Sequence, residues 1–164
     1  MTAQGSVYAA FIEGELRVER ERRAALDARG LSVVTSSASL VTLLTAVGAF
    51  VTSEKGFTLP GAAVVPLLAT LGSFTVAVVL GILANRSRYY HVALAETLYG
   101  MVTEHWGDDE IDSRNNVAEL NIRTIHTLRL GNDMKANLLT WALSAQLMGV
   151  VALSTTVIIA VTVS

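Results

Sequence analysis

The residues with the most chemistry to offer stand in two short stretches that share a pattern. Leu26-Asp27-Ala28-Arg29-Gly30 and Gly131-Asn132-Asp133-Met134-Lys135-Ala136-Asn137 each place an acid two positions before a base. Side chains two apart on a helix do not face each other. These charges are therefore available to another helix, Asp27 to Lys135 or Arg29 to Asp133. Crossed pairs of this kind would pin helices together, with Arg29 and Lys135 also answering lipid headgroups. The same cations can hold phosphate. That makes Arg22, Arg23, Arg29 and Lys135, with the Asn132 amide, the candidate binding set for an anionic ligand, and Asp27 and Asp133 the acids that would gate it.

Other chemistry has little to stand on. There is no cysteine, which removes disulfides, thiolate metal sites and cysteine nucleophiles together. Residues 108–112 hold four acids, but they lack the alternating ligands, the central glycine and the closing glutamate of a calcium loop. His91, His105 and His126 lie too far apart to make a metal pair on one helical face. No phosphate-cradling glycine loop, zinc-protease helix or nucleophile elbow occurs. The expectation is a non-enzyme with no metal and no cofactor. A net charge of −2 is not the basic footprint of a nucleic-acid binder.

The elements that would carry the two stretches follow from how charge is distributed. Of 164 residues 52% are hydrophobic and 16% charged, and mean hydropathy is +0.50, against about 25% charged in an ordinary soluble domain. Residues 30–53, 56–85 and 136–164 contain no Asp, Glu, Lys or Arg. A helix rises about 1.5 Å per residue and a bilayer core is about 30 Å thick, so roughly 20 apolar residues cross it. The spans read as 31–52, 62–84 and 137–163. In the first, Thr35, Ser36, Ser37, Ser39, Thr42 and Thr45 can bond back to their own helix. Pro60 and Pro66 sit near the start of the second, where proline costs a helix least.

Eleven of the twelve Lys and Arg residues fall in 1–29 and 86–135, and only Lys55 lies between the first two spans. Positive flanks stay in the cytoplasm. This predicts an inner-membrane protein with the N-terminus inside, residues 53–61 as an outer hairpin, residues 85–136 inside and Ser164 outside. Tyr89, Tyr90 and Trp141 would mark the inner interface, Phe50 and Phe57 the outer one. The apolar run Val7–Ile12 is too short for a signal peptide.

Within 1–30, Glu13, Arg17 and Glu21, and likewise Glu19 with Arg23, alternate sign at spacing four, as on a solvated helix. Residues 86–105 and 113–135 read as two helices joined by the turn around Gly107, with Asp112 or Ser113 as cap. Ile122, Ile125, Leu128, Leu98 and Tyr99 are the candidate seam of that hairpin. The fold class is thus an all-α membrane protein: three transmembrane helices, a charged N-terminal helix and a cytoplasmic helical hairpin. Ala69, Ser73, Ala77 and Gly81 recur at spacing four in the second span, where small residues let helices approach. Gln146, roughly 14 Å into the third span, needs a partner there, across a helix interface or along a pore. One three-span chain is too slight to enclose a conduit, so a homo-oligomer is expected.

This order of parts, with Leu26-Asp27-Ala28-Arg29-Gly30 before one span and Asn132-Asp133-Met134-Lys135-Ala136 before another, resembles small bacterial membrane effectors of antiphage signalling. The nearest are the transmembrane effectors of Pycsar (pyrimidine cyclase) systems, with SLATT-type effectors close by. That family's acid-x-Lys-Ala entry into a membrane helix falls on Asp133, Lys135 and Ala136. The resemblance implies antiviral defence: nucleotide binding, of cyclic CMP or cyclic UMP made by a partner cyclase, followed by loss of inner-membrane integrity. No separate globular sensor domain accompanies it here. The reading from residues alone leaves open a structural or accessory subunit that docks a partner through its hairpin, and a small ion channel.

Overall fold

The computed structural model describes residues 3–53, 60–86 and 89–163. They form four helices, α1 (Ala3–Ser53), α2 (Gly61–Asn85), α3 (Ala95–Thr103) and α4 (Glu110–Val163). Three of these, α1, α2 and α4, are long and apolar enough to cross a membrane. Residues 54–59, which carry most of the expected outer hairpin with Lys55 and Phe57, lie outside the described residues, as do Met1, Thr2 and Ser164. The charged segment before the first span is one helix with it, since α1 runs through residue 30 without a break. The chain divides into two compact units, Met1–Leu26 with Ser87–Met134, and Asp27–Arg86 with Lys135–Ser164.

In the first unit the core is made by α1 and α4. Leu16, Ile125 and Leu128 are buried together, with Ile12 packed against them. On α1, Ala9, Ile12, Leu16, Glu19, Arg23 and Leu26 are buried or half-buried and follow one another at alternating steps of three and four; Gly5, Gly14 and Glu15 are also half-buried. A 3.5-residue period holds one stripe toward a partner helix. The expected seam is corrected accordingly. Ile125 and Leu128 are buried, but against α1, while Ile122, Leu98 and Tyr99 are 52%, 52% and 72% exposed.

The first arm of the expected hairpin is also shorter, because residues 89–94 are not helical and α3 starts only at Ala95. Tyr89-Tyr90-His91-Val92 is a run of aromatic and β-branched residues with little helix preference. The His91 backbone N–H donates to Thr127 Oγ1 on α4 at 3.0 Å instead of to a helical carbonyl. At the other end α4 begins at Glu110, so Asp112 and Ser113 lie inside the helix, not at its cap; the Ser113 N–H donates to Asp109 O at 3.0 Å. Glu110 and Asp112 then favour the positive end of the helix dipole.

The second unit is a three-helix bundle. Val33 of α1, Ala77 of α2 and Ala142 of α4 form its buried centre, flanked by Leu80 and Ala145. Large apolar side chains point outward: Val65, Leu147 and Val161 are 72%, 65% and 74% exposed. That is the inverse of a soluble domain, and it suits a hydrocarbon solvent. The hydroxyls of Thr42, Thr75, Ser144 and Thr155 each donate to the carbonyl four residues back, which satisfies them without water.

On α2 the buried residues are Ala63, Thr70, Phe74, Ala77, Gly81 and Ala84. The expected small-residue stripe is therefore only partly the packed one: Ala77 and Gly81 are buried, Ser73 is half-buried and Ala69 is exposed. Steps of four drift round a helix by about 40° each, whereas steps of three and four stay on the seam. At Gly81 the backbone approach is close: an added Cβ would lie 2.7 Å from Val34 Cγ2 and 3.4 Å from the Gly30 carbonyl. Gly72 has nothing within 4 Å of such a Cβ. We predict that Gly81→Ile costs about 1–3 kcal/mol through overpacking, while Gly72→Ile, an identical change of propensity, is near neutral. Thermal unfolding in detergent followed by circular dichroism checks this; equal melting temperatures would show that the α1–α2 contact is not tight.

Candidate functional site

The charged residues that the two sequence stretches bring forward build one cluster in each unit. In the first unit the centre is Glu19, whose residue is 6% exposed. Its position in phase with Ile12, Leu16 and Leu26 turns it toward α4. There its carboxylate accepts from Arg129 Nε at 2.9 Å and from Asn132 Nδ2 at 3.0 Å. The same amide donates to the Glu19 carbonyl at 3.0 Å, and Asn132 is itself only 1% exposed. Arg129 reaches Glu15 with its other nitrogen. Arg22 lies 3.7 Å from the Glu19 carboxylate and donates to Asp133 Oδ1 at 2.8 Å. Glu19 and Arg23 do not form the expected pair along the helix. Arg23 stands 4.6 Å over the ring of Tyr90, a cation–π contact that fastens the non-helical segment to α1.

The hydrogen bond that Arg129 donates to Glu19 raises the Arg129 pKa above the ordinary arginine value; burial opposes this, and the charges of Glu19 and Glu15 add to it. A cation whose folded pKa is raised contributes its full stabilisation below its unfolded pKa and loses it only as pH rises beyond. The Arg129 contribution is therefore constant across physiological pH.

In the second unit Lys135 is 2% exposed and its ammonium is bound to the carboxylate of Asp27, whose side chain is 43% exposed. Of the two pairings the sequence allows for these stretches, Asp27 with Lys135 is formed. Asp133 is taken by Arg22, and Arg29 is exposed. Asn85, at the end of α2, joins the same place. With its amide turned to suit its neighbours, Nδ2 donates to the Asp27 carbonyl at 3.1 Å and Oδ1 accepts from the Leu31 N–H at 3.2 Å. Gly30 makes this possible, since a Cβ there would lie 2.7 Å from the end of the Asn85 side-chain amide. Deeper in the bundle Gln146 Nε2 donates to Ser36 Oγ at 2.9 Å, so the glutamine finds its partner on α1.

Sequence reasoning singled out Arg22, Asn132, Asp27 and Lys135 but not Glu15, Glu19, Arg129 or Asn85. Glu19 could have been found from the 3.5-residue period, which puts an acid where a core residue is due. Arg129 follows from it, as the cation three residues before Asn132. The arrangement is chemically a set of charge-assisted pins. Arg22 and Lys135, two of the cations put forward for an anion, each already hold a carboxylate. No group of three or more metal-ligating side chains occurs among the described residues. No protein-family model, no curated protein and no solved structure matches the chain.

The two ends of the Lys135 pair are unequal, because one is buried and the other half in water. Breaking a buried pair costs most when it strands the buried charge, up to about 3–5 kcal/mol. Asp27→Asn is therefore expected to lower the melting temperature in detergent more than Lys135→Met, which leaves only a carboxylate that water can reach. The opposite order would mean that Lys135 finds water or another acceptor.

Proposed function

We propose that this chain is a multi-pass protein of the cytoplasmic (inner) membrane, with its N-terminus and residues 86–135 inside. We further propose that it acts as an oligomeric antiphage effector, answering cyclic CMP or cyclic UMP from a partner cyclase by impairing the membrane. The membrane reading is carried by three helices, each with a long charge-free stretch that turns large apolar side chains outward. Orientation is supported by the placement of eleven of twelve Lys and Arg residues in two segments. The defence role and the ligand class are supported by the likeness of the Asp133-Met134-Lys135-Ala136 entry to that of Pycsar effectors. In this reading the Asp27–Lys135 and Arg22–Asp133 pairs hold the resting arrangement, and ligand binding favours another.

A second reading draws on the same pairs. Pins that are complete within one chain suit a structural or accessory subunit, whose exposed apolar residues on α3 would dock a partner protein.

Coexpression with an active pyrimidine cyclase is expected to admit a membrane-impermeant dye and arrest growth, and neither protein alone should do so. Retained polarisation at saturating cyclic CMP and cyclic UMP, with expression confirmed, would leave the subunit reading standing instead. Orientation is tested separately, the native chain having no cysteine. Ser53→Cys should be labelled from outside intact cells, and Ser113→Cys only after permeabilisation. The reverse pattern would invert the topology.

A further inference from the structure

The first unit contains a cleft between α3 and the first turns of α4 that neither polar cluster uses. Its volume is ≈ 640 Å³, within the range of about 300–1,000 Å³ usual for small-molecule sites. Met101 of α3 and Leu120 of α4 give it an apolar floor, and Trp106 stands at its rim, 79% exposed. Asn116, Leu120 and Arg123 line it from one face of α4, at spacings of four and three. Its other wall is backbone at Gly100, where an added Cβ would meet nothing within 4 Å. The helix thus leaves room where nearly every other residue would fill it.

The lining sets one guanidinium, Arg123, beside two carboxylates, Asp108 and Glu119. Arg123 donates to Glu119 at 2.6 Å and His105 is 2.9 Å from Asp108. Such walls do not favour a polyanion. They suit a flat ring with hydrogen-bonding edges and little net charge: an indole face to stack on and an amide to read an edge. Arg123 keeps donors beyond the one given to Glu119, and that pair is exposed at both ends and weakly held. We propose that this cleft is a ligand site for a planar heteroaromatic ring carrying a single negative charge, the chemistry of a mononucleotide phosphodiester, with the ring on Trp106 and the charge at Arg123. The choice of nucleotide rests on the function proposed above, whereas the site rests on the cleft. It also moves the phosphate contact away from Lys135, which is buried against its carboxylate.

The test uses the full chain in nanodiscs, carrying Trp141→Phe so that Trp106 is the sole indole. Cyclic CMP and cyclic UMP are titrated by fluorescence and by calorimetry, beside cytidine, 5′-AMP and inorganic phosphate. Saturable quenching by a cyclic nucleotide and none by phosphate is expected. Gly100→Leu fills the cleft with a better helix former and should weaken binding at least tenfold without lowering the melting temperature. Arg123→Gln should weaken cyclic CMP about tenfold while leaving uncharged cytidine unchanged. Unaltered calorimetric affinity of a cyclic nucleotide in both variants would overturn the site and leave the effector reading intact. Binding of 5′-AMP alone, abolished by Gly100→Leu, would uphold the cleft as a nucleotide site and overturn both the single charge and the choice of cyclic pyrimidine nucleotide. No binding of any nucleotide overturns both.

Discussion

Taking a charge out of water is costly unless a counter-charge goes with it, and among the described residues two charges leave water almost completely. Glu19 is 6% exposed and Lys135 2%. Each sits at a position that the helical period assigns to the core, and each is answered from the facing helix, Glu19 by Arg129 and Asn132, Lys135 by Asp27. A slip of α1 against α4 by one turn would move a partner about 5.4 Å and strand the buried charge. Apolar contacts such as Leu16 on Leu128 tolerate such a slip far better. The polar seam positions therefore set the register within each unit, as a single buried polar residue does in a coiled coil.

In a bilayer the second unit would also have to keep its register without a hydrophobic effect, since lipid tails are as apolar as Leu. Association then depends on close contact and internal hydrogen bonds. Gly81 and Ala77 bring α2 against α1, Gly149 lets α4 approach the ring of Phe74, and Gln146 crosses to Ser36. Asn85 works differently: it bonds to the backbone of α1 at Asp27 and Leu31. It thus ties the end of α2 to the turn that carries the acid for Lys135.

That three helices are long and apolar enough to cross a membrane was legible because exclusion of charge is a strong signal over twenty or more residues, and helix α2 runs Gly61–Asn85. The Asp27–Lys135 pair was legible as one of two alternatives, because residues two apart cannot satisfy each other. What stayed hidden depended on partners distant in sequence. Tyr89 to Leu94 are kept out of a helix partly by a bond to Thr127, 36 residues beyond His91. Glu19 carried a local explanation, an i,i+4 pair with Arg23, that concealed its role in the core. The α4 seam was assigned to α3 because α3 is its sequence neighbour, whereas α1 supplies the longer facing stripe.

The distribution of satisfied groups also bears on where regulation can act. An anion arriving at Lys135 replaces Asp27 like for like, and so gains only the difference between two anionic partners. A ligand shifts an equilibrium only by its differential affinity for the two states, which makes such an exchange a weak lever. Helix α3 is in the opposite position. It buries none of its nine residues, and Leu94, Leu98, Val102 and Trp106 lie along one exposed side of it and the following turn. An element with so little apolar burial is held by little free energy. A ligand that covers Met101 and Trp106 adds burial that the free chain lacks, so the new contact is not offset by the loss of an old one. If the chain responds to a ligand as proposed, that asymmetry, more than the count of cations, favours α3 as the element through which the first unit responds.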